Sequence, residues 1–247
     1  HDNVSRLARN LNLLFLLNFH APMKLYFHPV STVSRPIMLL AADEGIALDM
    51  QVVDLFKGEH KQAAYLALNP SGQVPTLEDN GFRLTESSAI LKYLADLKGS
   101  RAYPADAQKR ARVNELMDWF NTGLYRDLGY GMVYSQALPD YIYPDAAVQN
   151  AVLARAQGKA RRWLDVLDQR IIGAHASYVC GNELTLADYL GACFLTLGEV
   201  VHLKYGEWPN VTRWINTMKA RPNWANVNQG FYQYFVGAHK DGKFLAL

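Results

Sequence analysis

The sequence has 247 residues, 50% of them apolar and 19% charged, which suffices for two modest globular units with cores of their own and is too apolar for a disordered chain. Its 25 Lys and Arg nearly balance 23 Asp and Glu, and no basic run is present to track a phosphate backbone, so no nucleic-acid partner is expected. Cys180 and Cys193 are the only cysteines, too few for a disulfide framework, a redox pair or a thiolate zinc site, and a reducing, cytoplasmic setting without a metal is expected.

The opening segment, His1 to Pro22, places Arg6 and Arg9 ahead of a short apolar run, as a weak signal peptide would. The run from Leu11 to Phe19 is broken by Asn12 and Asn18, is too short to span a bilayer and lacks a small-x-small cleavage site. Residues 1–22 are therefore read as an extension outside the fold, tag-derived or upstream-translated, and no membrane partner is expected. From Met23 the chain becomes regular. Lys24 to Phe27 reads as a strand, His28 to Ser31 as a turn, and a helix follows through Leu39 and Leu40 to Gly45. Leu48, Met50 and Val52 alternate with Asp49 and Gln51 in a second strand, and a short helix is expected around Gln62 to Leu68. Val74–Leu77 and Phe82–Leu84 flank Asn80-Gly81, a dipeptide suited to a tight hairpin, and Ser87 opens a helix through Leu94.

Arg101 to Ala105 reads as a linker, and everything beyond is helical in period. Val113, Leu116, Met117, Phe120, Leu124 and Leu128 form one stripe, and Val152, Ala156, Trp163, Leu167 and Ile171 another. Leu186 to Val201 is apolar on nearly every side, as a central bundle helix would be, while Val211, Trp214, Ile215 and Met218 mark a further amphipathic helix stopped near Pro222. The expected organisation is an α/β plus all-α chain: a βαβαββα unit at 23–100, a linker at 101–106 and an all-helical bundle at 107–247.

The βαβαββα order resembles thioredoxin, whose redox cysteines occupy the turn after the first strand. Here that turn reads Ser31-Thr32-Val33-Ser34, which cannot exchange disulfides. A hydroxyl in it either caps the next helix or donates a hydrogen bond to a thiolate that a ligand brings, and the two roles are compatible. A thiol of pKa ~8.5 would need a shift of about two units, worth roughly 2.7 kcal/mol, to become mostly thiolate at neutral pH. In Asn69-Pro70-Ser71-Gly72-Gln73-Val74-Pro75, an ordinary trans proline at a sheet edge is the simpler expectation; a cis Val74-Pro75 bond would leave the Val74 backbone facing outward to pair with a peptide ligand beside Gln73. Glu86 and Ser87, where a strand becomes a helix, supply a carboxylate and a helix N-terminus suited to a free α-amino acid group, or else a plain cap with a solvated glutamate. His60 and Lys61 offer cations for a terminal carboxylate or are solvated surface.

Together these are handles for one ligand: a peptide with an amino acid end, a thiol and a carboxylate end. The stretches Lys57 to Lys61, Asn69 to Pro75 and Leu84-Thr85-Glu86-Ser87-Ser88-Ala89-Ile90 closely resemble phi-class and theta-class glutathione transferases, and His28-Pro29-Val30-Ser31-Thr32 is similar to their catalytic serine turn. The likeness covers nearly all of residues 23–225 and suggests a serine-type bacterial member. It implies that Ser31 activates the thiol of the co-substrate glutathione, that Glu86 and Ser87 grip the γ-glutamyl end, that Val74, ahead of Pro75, pairs with the cysteinyl backbone, and that Gln73, His60 and Lys61 meet the glycine end. Thr32 and Ser34 remain local alternatives to Ser31, and Tyr26 is read as sheet or core. Gly181 to Asp188 resembles the family's central-helix capping box, so Asp188 is given a folding role.

The electrophile is expected between the serine turn and the first bundle helix, where Trp119, Phe120, Tyr125, Arg126, Tyr130, Met132 and Tyr134 cluster; aromatic residues at this spacing also suit a core. Arg126 resembles a theta-class arginine beside the thiol, with a surface ion pair as the other reading. Phe231, Tyr232, Tyr234 and Phe235 either cover this pocket or pack on the bundle. The resemblance implies thiolate attack on a hydrophobic electrophile and a homodimer in the cytoplasm, with detoxification as the setting. Dehalogenation, β-aryl ether cleavage and peroxide reduction would use the same thiolate, and a non-catalytic binding protein is the alternative from another class.

Overall fold

A computed structural model describes residues 22–247, and all but the last residue of the expected N-terminal extension lies outside them. Four strands form one mixed sheet in the order β2-β1-β3-β4. β1 (Met23–Phe27) runs parallel to β2 (Leu48–Val52), and antiparallel to β3 (Thr76–Asp79), which pairs with β4 (Phe82–Thr85). The β3–β4 turn places Asn80 at φ 48° and Gly81 at φ 85°, the two left-handed positions a two-residue hairpin needs.

Three helices accompany the sheet: α1 (Arg35–Glu44), the short α2 (Ala63–Leu66) and α3 (Ser87–Lys98). Pro36 fits in the first turn of α1, where its missing N–H is no loss, and Gly45 ends the helix at φ 62°. Leu39 and Leu40 of α1 meet Ile90, Leu91 and Leu94 of α3 in a core that also holds Leu25 and Leu77. Two expectations change here. The third strand begins at Thr76 instead of Val74, since Pro75 has no amide to give the ladder. The Val74–Pro75 bond is cis, not the trans edge proline that was the simpler reading.

The remaining chain is helical, as expected. α4 (Ala107–Trp119) is N-capped by Asp106, whose carboxylate accepts from the Lys109 amide, and continues through wide i→i+5 turns over Phe120–Tyr134 to a last turn at Ser135–Ala137. α5 (Ala146–Val166) also widens, over Leu167–Ile172. Its buried face is Ala156, Ala160, Leu164 and Leu167, whereas Val152, Trp163 and Ile171 of the expected stripe are only half-buried. Small residues face the neighbour here, and Trp163 stays at the margin, where its indole N–H reaches Asp127 at 2.7 Å.

Every residue of α6 (Leu186–Thr196) is buried, so this helix is the centre of the bundle. Asp188 closes its capping box, accepting from the Thr185 amide and hydroxyl at 2.8 and 2.9 Å. It also accepts from the Val179 amide at 2.8 Å and the Trp214 indole at 2.9 Å. α7 (Pro209–Lys219) buries Val211, Trp214, Ile215 and Met218, and α8 (Trp224–Gly230) continues over Phe231–Val236 against α1. Among the described residues no helix is long and apolar enough to cross a membrane, and no acidic, histidine and cysteine cluster could hold a metal ion.

Candidate active site

The loop between β1 and α1 is folded by its own backbone. The Ser31 amide donates to the His28 carbonyl at 2.9 Å, and the Ser34 and Arg35 amides donate back to the Ser31 carbonyl at 3.1 Å each. Before it, the Val30 amide donates to His28 Nδ1 at 3.3 Å, which assigns the imidazole proton to Nε2; burial lowers this histidine's pKa, against the pull of Asp54. The Ser31 Oγ accepts from the Ser34 amide at 3.2 Å. That bond uses a lone pair, so the hydroxyl proton stays free to donate elsewhere. Ser31 thus secures the turn and remains a donor, while Ser34 Oγ is buried and partnerless among the described residues.

Thr32 points to the helical region instead, with its hydroxyl 3.1 Å from the Tyr134 hydroxyl, which in turn lies 2.8 Å from that of Tyr125. Arg35 follows the loop and is 0% exposed, a rare place for a guanidinium. It donates to Asn228 Oδ1 and the Cys193 carbonyl at 2.8 Å each and to Thr196 Oγ1 at 3.3 Å, and it lies 3.7 Å over the Phe231 ring. All of these partners are neutral, so the guanidinium carries its charge into the interior from the start of α1 to Cys193, Thr196, Asn228 and Phe231 of the bundle, with no carboxylate partner among the described residues. No pattern of residues signals this, because an arginine after a turn is ordinarily a surface residue.

Around the sheet edge, the Gln73 carbonyl is held by the Tyr65 hydroxyl and Asn69 Nδ2 at 2.7 Å each. Among the described residues, the Val74 amide and carbonyl have no hydrogen-bond partner. His60 is half-buried with Nδ1 shielded and unpaired, and burial followed by the charge of Lys61 lowers its pKa; Lys61 itself is exposed. Glu86 sits between β4 and α3 with φ 66° and ψ 118°, a strained conformation for a residue with a Cβ. Its carboxylate makes no cap bond and is exposed, while Ser87 beside it is buried.

Of the aromatic residues expected to line a second pocket, Tyr130 and Tyr134 do lie near the loop. With Tyr125 and Tyr141 they form a cluster of ring contacts 5.1–6.2 Å between centroids. Burial, first, raises the phenol pKa of Tyr125, Tyr130 and Tyr134, so all three stay protonated donors; for Tyr130 the Glu86 carboxylate is among the lesser causes, which sets that acid within electrostatic reach. Trp119 and Phe120 are placed differently. Phe120 is fully buried and stacked on Trp214 at 6.1 Å, and Trp119 packs edge-on against Phe120 and Trp163, so both rings belong to the bundle core. For Arg126 the ion pair is what is seen: its half-exposed guanidinium forks onto Asp127 at 2.9 and 3.2 Å. Tyr141 was missed because it lies beyond the apolar stripe, on the short turn Pro139–Tyr141. Phe231 and Phe235 are buried, and Tyr234 is exposed. A cleft of about 740 Å³ lies elsewhere, at the linker, lined by Glu44, Asp96, Arg101, Tyr103, Arg110 and Glu183 among others.

Comparison with known proteins places this geometry. Residues 21–96 match the family described as glutathione S-transferase, N-terminal domain, and residues 134–222 match glutathione S-transferase, C-terminal domain. A delta-class glutathione transferase of Nilaparvata lugens is 31% identical, with 89% of this chain and 99% of that chain covered and a TM-score of 0.75. Human glutathione transferase theta-2, solved in complex with glutathione and an unknown ligand, is 28% identical over 91% of this chain and 93% of that one, with a TM-score of 0.78. Human glutathione-S-transferase T1-1 in its apo form is 26% identical over 90% and 92%, with a TM-score of 0.75.

Proposed function

Because the chain belongs to the glutathione S-transferase family, we propose that it is a serine-type glutathione transferase in which Ser31 holds the thiol of bound glutathione as thiolate. The thiolate then attacks an electrophilic carbon of a hydrophobic substrate by substitution or conjugate addition. The observation that carries this reading is the Ser31 hydroxyl itself: its lone pair is occupied by the Ser34 amide and its proton is free. A hydrogen bond to a charged group is worth about 1.5–3 kcal/mol, which is one to two pKa units on the sulfur.

The other handles suit the same tripeptide. The unpaired Val74 backbone, beside Pro75 and Gln73, would pair with the cysteinyl residue as an added strand does. The Glu86 carboxylate would take the ammonium and the α3 N-terminus at Ser87 the carboxylate of the γ-glutamyl end. His60 and Lys61 would meet the glycine carboxylate. Tyr130 and Tyr134 would border the electrophile, and Arg126 would contribute only if it left Asp127. The theta-2 complex, with glutathione and a second ligand, supports a two-substrate site in this fold. A cytoplasmic homodimer serving detoxification completes the reading, and the mass of the protein in solution tests its dimeric part.

The test is titration of bound glutathione by thiolate ultraviolet absorbance. Wild type should show a thiol pKa well below ~8.5, and Ser31→Ala should raise it by about one to two units. Equal ionisation in the two proteins would remove Ser31 from the role. No binding of glutathione would favour a scaffold without turnover.

A further inference from the structure

We propose that Thr32 is a second hydrogen-bond donor to the bound sulfur, and that Tyr134 and Tyr125 are the positioning residues that turn its proton toward the ligand. This rests on the glutathione reading above. Three hydroxyls stand in a row: Tyr125 Oη and Tyr134 Oη are 2.8 Å apart, and Tyr134 Oη is 3.1 Å from Thr32 Oγ1. Each carries one proton, so the direction of the row follows from counting. Tyr125 is buried and stacked on Phe194 at 4.1 Å; its hydroxyl makes its one well-formed hydrogen bond with Tyr134, and the Tyr130 hydroxyl is the other phenol close to it. If Tyr125 accepted from Tyr134, its own proton would have only the Tyr130 hydroxyl to turn to, with which it makes no well-formed hydrogen bond, at much of the cost of an unmade one.

Tyr125 therefore donates to Tyr134. That bond occupies a lone pair of Tyr134 and sends the Tyr134 proton on to Thr32. Thr32 is left with a filled acceptor side and a free proton, the same state in which the Ser34 amide leaves Ser31. Two adjacent residues of one loop are thus both poised as donors, and the row of bonds polarises the outermost hydroxyl. The link also spans the two halves of the chain, since Thr32 precedes α1 while Tyr125 and Tyr134 lie on the wide-turn continuation of α4.

The sulfur pKa of bound glutathione should rise by about one unit in Thr32→Val, and also in Tyr134→Phe, which removes one oxygen and keeps the ring. The double variant should rise no further than either single one, because both cut the same row. Thr32→Ser should keep the wild-type pKa, since it retains the hydroxyl. A merely structural Thr32 would behave in the opposite way, tolerating valine and suffering from serine. The inference is overturned if Thr32→Val and Tyr134→Phe ionise the thiol as wild type does, or if Thr32→Ser and Thr32→Val shift it equally. Either result alongside an intact Ser31→Ala effect would leave the proposed function standing. A wild-type protein with no thiolate band would overturn both.

Discussion

Glu86 carries a cost that the fold alone does not require. β4 ends at Thr85 and α3 begins at Ser87, so one residue must redirect the chain, and it does so at φ 66° and ψ 118°. Such a conformation costs a residue with a Cβ about 1–3 kcal/mol. Glu86→Gly removes that strain but loosens the unfolded chain by roughly 0.5–1 kcal/mol, for a net gain of about 1 kcal/mol. In a chain of this size that corresponds to a melting temperature higher by about 2–4 °C. Glu86→Ala keeps the strain and deletes the same carboxylate, so it serves as the reference. Thermal and urea unfolding should rank Gly above Ala, while calorimetry with glutathione should find both weakened by about tenfold to a hundredfold, the loss expected for one charge-assisted hydrogen bond. If Glu86→Gly is no more stable than Glu86→Ala, the strain is not real. Unchanged glutathione affinity in both would refute its purpose.

Other outcomes follow from the core. Asp188 accepts four hydrogen bonds from donors alone; Asp188→Asn puts an amide N–H₂ against two of those donors and should lose roughly 3–5 kcal/mol in urea unfolding. Burial raises the Asp188 pKa from 3.8 to about 6. The native state therefore binds the proton more tightly than the unfolded one, and this group's stabilisation is full below 3.8 and lost as pH rises through about 6. Gly191→Ala would place a methyl 2.4 Å from the Phe120 ring, and should destabilise by about 1–3 kcal/mol in the same assay.

The fold was legible because its signals are local and repeated. Asn80-Gly81 specified a hairpin, Gly45 bounded α1, and the largely apolar run from Leu186 marked the central helix, against which α1, α3, α4 and α7 pack. Ser31 and Glu86 do stand at element boundaries, between β1 and α1 and between β4 and α3, but a serine there is also an ordinary cap, so sequence position alone did not separate a ligand handle from a folding role. What lay hidden depends on partners distant in sequence. Arg35 is buried through Asn228 and Cys193, and Thr32 is turned by Tyr134, and no spacing rule joins such positions. Periodicity assigned Phe120 correctly to a helix face, but only packing could decide that this face met Trp214 and not a pocket.

The most direct test is a crystal structure of the protein with glutathione bound. The sulfur should lie within about 3.3 Å of Ser31 Oγ, in line with the proton that the Ser34 contact leaves free. A sulfur placed beyond hydrogen-bonding reach of every hydroxyl between β1 and α1 would contradict the account.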